Sequence, residues 1–350
     1  MPLTTGYEEM VTHRVDDIFA TTAKQKGTVT KISNRAITVT YEDGSTKTVA
    51  LGRQFGDAAG TTFAHELVSN LKQGDKVDYG DAIAYNADYF TPTFHNPRRV
   101  AWKAGALVTT ALCENPDTHE DASIISEKVS RLLTSRSTKV RAITIPFDHA
   151  VSQLVNIGDK VDTESILCTI EDAVTAENKL FTEETLDTLR ALSANTPRAK
   201  YPGVVEKIEV FYNGDMEDMS PSVRALAQQG DLELARQRKA EGKSVVTGSI
   251  QDGMRINGNP LDLDTLAIRV YITKDTPVTQ GDKGVFGNQL KTVFSRVMKG
   301  VNQSESGRDI DAIFGYVSIS NRIVNSPMLW GTTNTLLLEA SRRVVAAFNE

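Results

Sequence analysis

The phrase Gly-Asp-Lys occurs three times, at Gly74-Asp75-Lys76, Gly158-Asp159-Lys160 and Gly281-Asp282-Lys283. Gly-Asp is a tight-turn pair, because glycine accepts a positive φ and aspartate bonds back to its own turn. The first copy runs through Val77 to Gly80-Asp81-Ala82-Ile83, and the second through Val161 to Glu164-Ser165-Ile166-Leu167. Turns at such spacing, flanked by Val and Ile, predict a strand-rich chain with hairpins of a small barrel or sandwich. Biotinyl and lipoyl carrier domains use similar hairpins. They need an exposed lysine in an Ala-Met-Lys-Met setting, which is absent here.

Alternation supports the same class. Gly27–Ile32 and Ala36–Tyr41 alternate Thr and Val with polar residues, and Glu42-Asp43-Gly44 closes a turn, predicting a β-meander with one buried face. Gly203–Phe211 and Leu266–Ile272 read as further strands. Helices are expected over Glu183–Leu192, from Ser220-Pro221 through Lys243 with Gly230 as an interruption, and over Thr333–Phe348. The chain has 350 residues; at about 150 residues per domain, two or three packed units are expected. Strands at both ends are expected to share one barrel, with the middle as an excursion from it.

Lys plus Arg number 39 and Asp plus Glu 45, a formal charge of -6. Contact with nucleic acid would then need a local basic patch or a larger assembly. Cys113 and Cys168 form no C-x-x-C pair, and both read as small buried residues of a reducing compartment. Residues 1–6 carry neither a basic nor an apolar leader pattern, and no apolar run reaches the ~18 residues of a membrane span. The expectation is a soluble cytoplasmic protein.

Several catalytic motifs fail. Gly242-Lys243-Ser244 lacks the upstream glycine of a phosphate-binding loop, because Gln237 stands there. His119-Glu120-Asp121 has Ser123 where a zinc-binding second histidine belongs, and neither G-x-S-x-G nor D-x-D-x-D occurs. Three features remain. Glu120 and Asp121 are adjacent carboxylates between the turn Asn115-Pro116-Asp117 and an apolar stretch, suited to a hydrated metal or a nucleotide, or simply to a solvated turn. Lys283 and Lys291 bracket a glycine-containing loop, with Arg296 and Lys299 following and only Asp282 opposing them. A lysine is a compact charge for phosphate oxygens. The strand Ile310–Phe314 leads through a Ser/Asn-rich turn to Arg322, placed to grip a triphosphate or to pair with an acid.

In this order and spacing, the segments resemble the β subunit of multisubunit RNA polymerases. The family phrase F-E-D-S-I-x-x-S-E is matched by His119-Glu120-Asp121-Ala122-Ser123-Ile124-Ile125-Ser126-Glu127. Its G-D-K-M-A-G-R-H-G-N-K-G-V is matched by Gly281-Asp282-Lys283 through Lys291-Thr292-Val293, with the lysine spacing kept. Its V-D-I-V-x-N-P-x-G-V-P-S-R-M-N is matched by Ile310-Asp311-Ala312-Ile313 through Asn321-Arg322. Residues 24–41 are similar to its A-K-x-x-G-x-V segment, and Gly203–Phe211 to its flap strand.

The resemblance implies a mostly β fold with some α: a double-psi β-barrel with an inserted flap-like β/α module containing barrel-sandwich hairpins. Residues 1–140 would give the first part of the barrel, 141–270 the insertion, and 271–350 the second part with the lysines and a closing helix. It implies that Lys283 and Lys291 contact RNA and nucleotide phosphates, that Arg322 contacts the triphosphate, and that Glu120 and Asp121 lie near a second Mg²⁺. The chain itself would hold no metal; a β′-like subunit would hold Mg²⁺. An N-terminal β-like subunit, a promoter-specificity factor, DNA template, RNA transcript and nucleoside triphosphates complete the implied partners, with no membrane.

Departures are Phe286–Leu290 in place of R-H-G-N, Ser320-Asn321 in place of P-S, and no C-terminal G-G-x-R-F-G-E-M-E anchor. Such a subunit resembles the split, diverged β subunits of large-genome bacteriophages, acting in the host cytoplasm or carried in a virion, or a piece of a longer subunit. The alternative is a non-catalytic barrel-sandwich scaffold or adaptor in a multiprotein assembly.

Overall fold

The computed structural model describes residues 6–58, 60–93, 95–103, 105–172, 195–250, 255–256, 258–287, 289–321 and 325–349. Strand takes up 41% and helix 22%, so the chain is mostly β with some α. No sheet among the described residues closes into a barrel. The helix expected over Glu183–Leu192 lies outside the described residues, as does Arg322.

The meander forms as its alternation dictates. Gly27–Ile32, Ala36–Tyr41 and Thr46–Ala50 pair antiparallel in order, and Val29, Ile37, Val39, Tyr41 and Val49 point into one core. Each buried aliphatic side chain in such a face contributes about 1.5–3 kcal/mol relative to exposure.

The Gly-Asp phrase makes a different structure from the hairpins expected. Gly74 N–H donates to Val29 O (2.8 Å), and Val29 N–H returns to Asp75 O (2.9 Å). Gly80 and Asp81 clasp Ala23 in the same way, Gly158 and Asp159 clasp Val205, and Gly281 and Asp282 clasp Phe294. Each glycine has a φ near +90°, from 88° at Gly80 to 99° at Gly158, which a side chain would oppose. Each aspartate accepts the N–H three residues earlier, from Lys72, Asp78, Asn156 and Thr279 at 2.8–3.0 Å. Lys76–Val77 and Lys160–Val161 therefore pair with remote strands, at 27–28 and 203–204, and not with the strand that follows them.

The clasps are also arranged as a duplicated pair. Ser165 takes the aspartate's part six residues after Asp159. Its Oγ accepts Asp162 N–H (2.9 Å) and its carbonyl accepts Ala199 N–H (2.9 Å). Turns six residues apart thus seize Val29 and Ala23 in one unit, and Val205 and Ala199 in the other.

Ser135–Pro146 and Thr265–Thr276 pair antiparallel along their full length, from Ser135↔Thr276 to Pro146↔Thr265. Residues 147–264 leave and return through this ladder. Gly203–Asn213 adds to its other edge, and Ile143, Ile145, Leu167, Cys168, Val210 and Ile268 lie in a common core. Cys168 is buried as expected, but Cys113 is exposed.

Ser220 caps the helix Pro221–Ala240 by accepting Val223 N–H. The expected interruption at Gly230 does not occur. A Cβ there would stand 2.7 Å from Val210 Cβ, so the glycine serves the close approach of helix to sheet. The last helix, Ser326–Asn349, contains the predicted 333–348 segment but buries none of its residues. Leu336, Val344 and Phe348 are 66%, 68% and 88% exposed. The apolar stripe is present, but nothing in the described residues packs on it, so it closes no barrel here.

Candidate functional site

A five-stranded sheet carries the candidate residues, in the order Thr110–Leu112, Ala312–Phe314, Ala122–Ser126, Leu290–Met298, Lys283–Phe286. Ala122–Ser126 pairs antiparallel with Ala312–Phe314 and parallel with Leu290–Met298. The parallel register, Ala122↔Val293, sets Glu120 and Asp121 beside the start of the strand that holds Lys291. The antiparallel register, Ser123↔Phe314, brings the residues after Phe314 to the same end.

Lys283 and Lys291 sit on strands rather than on the loop expected from sequence. Lys283 faces Val293 and Val285 faces Lys291, and side chains directly opposite one another share a face. Lys283, Val285, Lys291 and Val293 are all exposed, while Leu290, Thr292 and Phe294 are buried on the other face. Among the described residues, neither lysine pairs with an acid. Arg296, expected in the same positive patch, is instead bound to Asp117 at 2.8 Å.

The acidic pair forms a strained corner. Glu120 and Asp121 have φ of 48° and 62°, left-handed values that cost about 1–3 kcal/mol each for residues with a side chain. The corner is fixed by its backbone. Asp121 N–H donates to Ser318 Oγ (3.1 Å), and Asp121 O accepts Val293 N–H (3.4 Å). Glu120 points outward, its side chain 86% exposed, with His119 Nε2 at 3.9 Å.

Behind the corner, Thr292 Oγ1 donates to Ser123 Oγ (2.7 Å). The parallel ladder is broken between Ser123 and Ile124. The extra residue there, Ser295, uses its hydroxyl to reach Asp117 O and Ser123 O. Such a bulge redirects side chains next to it.

The run from Phe314 to Asn321 departs from the sequence expectation. Tyr316–Ser320 is one turn of α-helix, not a Ser/Asn-rich turn. Its Val317 N–H is taken by Glu114 Oε1 at 2.7 Å. Hydroxyls that fit a turn equally well serve a helix once a remote carboxylate supplies its missing cap. Asp311, just before the strand, is buried. Its Oδ1 binds Lys128 Nζ (2.9 Å) and its Oδ2 accepts Thr109 N–H (3.0 Å).

The structure thus places Glu120 and Asp121 at the end of the sheet whose exposed hairpin face carries Lys283 and Lys291. Arg322 falls outside the described residues. Sequence reading missed Glu114, Ser318 and Lys128, whose partners lie 203, 197 and 183 residues away. No local pattern carries such contacts.

Fixed lysines suit phosphate oxygens, and two neighbouring carboxylates suit the water shell of a divalent cation. They do not suit sole possession of one, which takes more protein ligands or substrate oxygens. Among the described residues no group of three or more His, Cys, Asp or Glu could hold a metal, and no helix is long and apolar enough to cross a membrane. No family model matches the chain.

Proposed function

We propose that the chain is a β-like subunit of a DNA-dependent RNA polymerase, contributing half of a composite nucleotidyl-transfer site. The observation that carries this reading is the meeting of the acidic corner 120–121 with the lysine hairpin 283–291 at one sheet end. These segments match the polymerase phrases in collinear order, and they are remote in sequence. Ala122–Ser126, from before residues 147–264, lies between a parallel and an antiparallel partner that both follow them, which supports reading the unit as a double-psi β-barrel carrying a flap-like insertion.

Each residue has a role in that reading. Lys283 and Lys291 bind phosphate oxygens of the transcript end and the nucleotide, and Arg322 binds the triphosphate. Glu120 and Asp121 would lie near the second Mg²⁺, which accompanies the nucleotide. Phosphoryl transfer depends on positioning and on neutralising charge that develops on the phosphate. A bound Mg²⁺ supplies Lewis-acid stabilisation of that charge, and a β′-like partner holds it. Alone, the chain is inactive. Its net charge of -6 is compatible with a basic channel shared across the complex.

Affinity purification of the chain from cells expressing its neighbouring genes tests the reading. Recovery with large polypeptides bearing a D-x-D-x-D loop and with template-dependent RNA synthesis is the expected result. A solitary chain that is fully functional without them would favour a scaffold.

A further inference from the structure

The acidic corner and the short helix Tyr316–Ser320 are one mechanical unit, and its outer member is Glu114. Five residues of helix have no stability of their own. This one borrows it: Glu114 Oε1 takes Val317 N–H at 2.7 Å, while Cys113 N–H donates to Phe314 O at 3.1 Å. The two segments are pressed together so closely that a Cβ on Gly315 would lie 2.6 Å from Thr118 O. The helix in turn presents Ser318 Oγ to Asp121 N–H at 3.1 Å. That bond anchors the second of two consecutive left-handed residues.

We propose that Glu114 is a positioning residue: through the Val317 cap and Ser318 it holds Glu120 and Asp121 in the geometry that meets the nucleotide. The proposal rests on the polymerase reading for what the corner meets, but not for how the corner is held. The bond Glu114 accepts comes from backbone. Its carboxylate acts on the backbone of a helix, so an amide oxygen in its place can accept the same N–H.

The test uses the full chain with Glu114→Ala, Glu114→Gln and Ser318→Ala. Amide hydrogen exchange is read first. Glu114→Ala is expected to speed exchange at Val317 and Asp121 by roughly tenfold, as for loss of a helix cap, and Glu114→Gln to restore both. Ser318→Ala is expected to speed Asp121 alone.

In the assembled polymerase, Glu114→Ala is expected to raise the KM for nucleoside triphosphate and the Mg²⁺ concentration needed for half-maximal rate, by several-fold. Glu114→Gln should stay near wild type. Unchanged exchange at Asp121 in Glu114→Ala overturns the proposal, as does altered exchange with an unaltered nucleotide and Mg²⁺ dependence. A wild-type assembly that makes no RNA defeats the polymerase reading instead, and leaves the exchange result to stand or fall alone.

Discussion

Lys283 and Lys291 occupy diagonal positions on one exposed face of a hairpin, with Val293 opposite the first and Val285 opposite the second. Side chains so placed have backbones about 7–8 Å apart, so two ammonium groups can address neighbouring phosphates. Reversing either charge should therefore act on substrate and not on folding. Lys283→Glu and Lys291→Glu are expected to leave the thermal midpoint of the isolated chain within about 1 °C, since surface substitutions rarely exceed 0.5 kcal/mol. They should weaken nucleotide use by the assembled enzyme by at least about tenfold. Differential scanning fluorimetry and initial rates measure the two effects separately.

Asp311 ties three segments together by accepting from Lys128 and from Thr109 N–H. Asp311→Ala leaves the half-buried Thr109 N–H without its acceptor, at a cost of about 1 kcal/mol. Lys128→Ala should also destabilise, because it leaves a carboxylate whose side chain is only 7% exposed without its cation. Denaturant midpoints of the two variants give the comparison.

Gly230→Ala sets two effects against each other. Propensity alone favours alanine by about 1 kcal/mol in a helix interior. The added methyl would meet Val210 Cβ at 2.7 Å, and overpacking of this kind costs about 1–3 kcal/mol. The expected net effect is destabilisation. Val210→Ala in the same chain should not recover it, because alanine keeps the Cβ that the new methyl meets, which a double-mutant cycle measures.

His65 is buried and bonded to Asn86 Nδ2 through Nδ1 at 2.9 Å. Burial holds its pKa below 6.5. Asp88 pulls in the opposite sense, and Arg53 adds to the lowering. The unfolded chain therefore takes a proton near 6.5 that the folded chain refuses. Where the unfolded state binds more protons, stability rises with pH, so this contribution is present above 6.5 and is lost as pH falls toward the folded value. The melting temperature should drop between about pH 7.5 and about pH 5.5. His65→Leu should flatten that drop, although His13, also shifted down, keeps a share.

The limits of sequence reading follow the range of the forces involved. The meander, the cap at Ser220-Pro221 and the strand around Leu266–Ile272 rest on local periodicity and turn chemistry, and each formed as expected. The Gly-Asp turns were legible as turns, but their partners were not, because a clasp between Gly158 and Val205 leaves no local trace. Gly230 misled for the same reason: its cause is Val210, on a strand elsewhere in the chain. At the site, the acid pair and both lysines stood out by type and order. The loop assigned to the lysines and the turn assigned to Tyr316–Ser320 gave way to strand and helix, because Leu290–Met298 and Glu114 satisfied the backbone from a distance.

The most direct test of the polymerase account is single-nucleotide addition by the purified assembly, comparing wild type with Lys291→Ala and Arg322→Ala. The account predicts intact assemblies whose addition rates fall by roughly one to three orders of magnitude, the scale set by loss of a charge-stabilising group. Wild-type rates from both variants would contradict it.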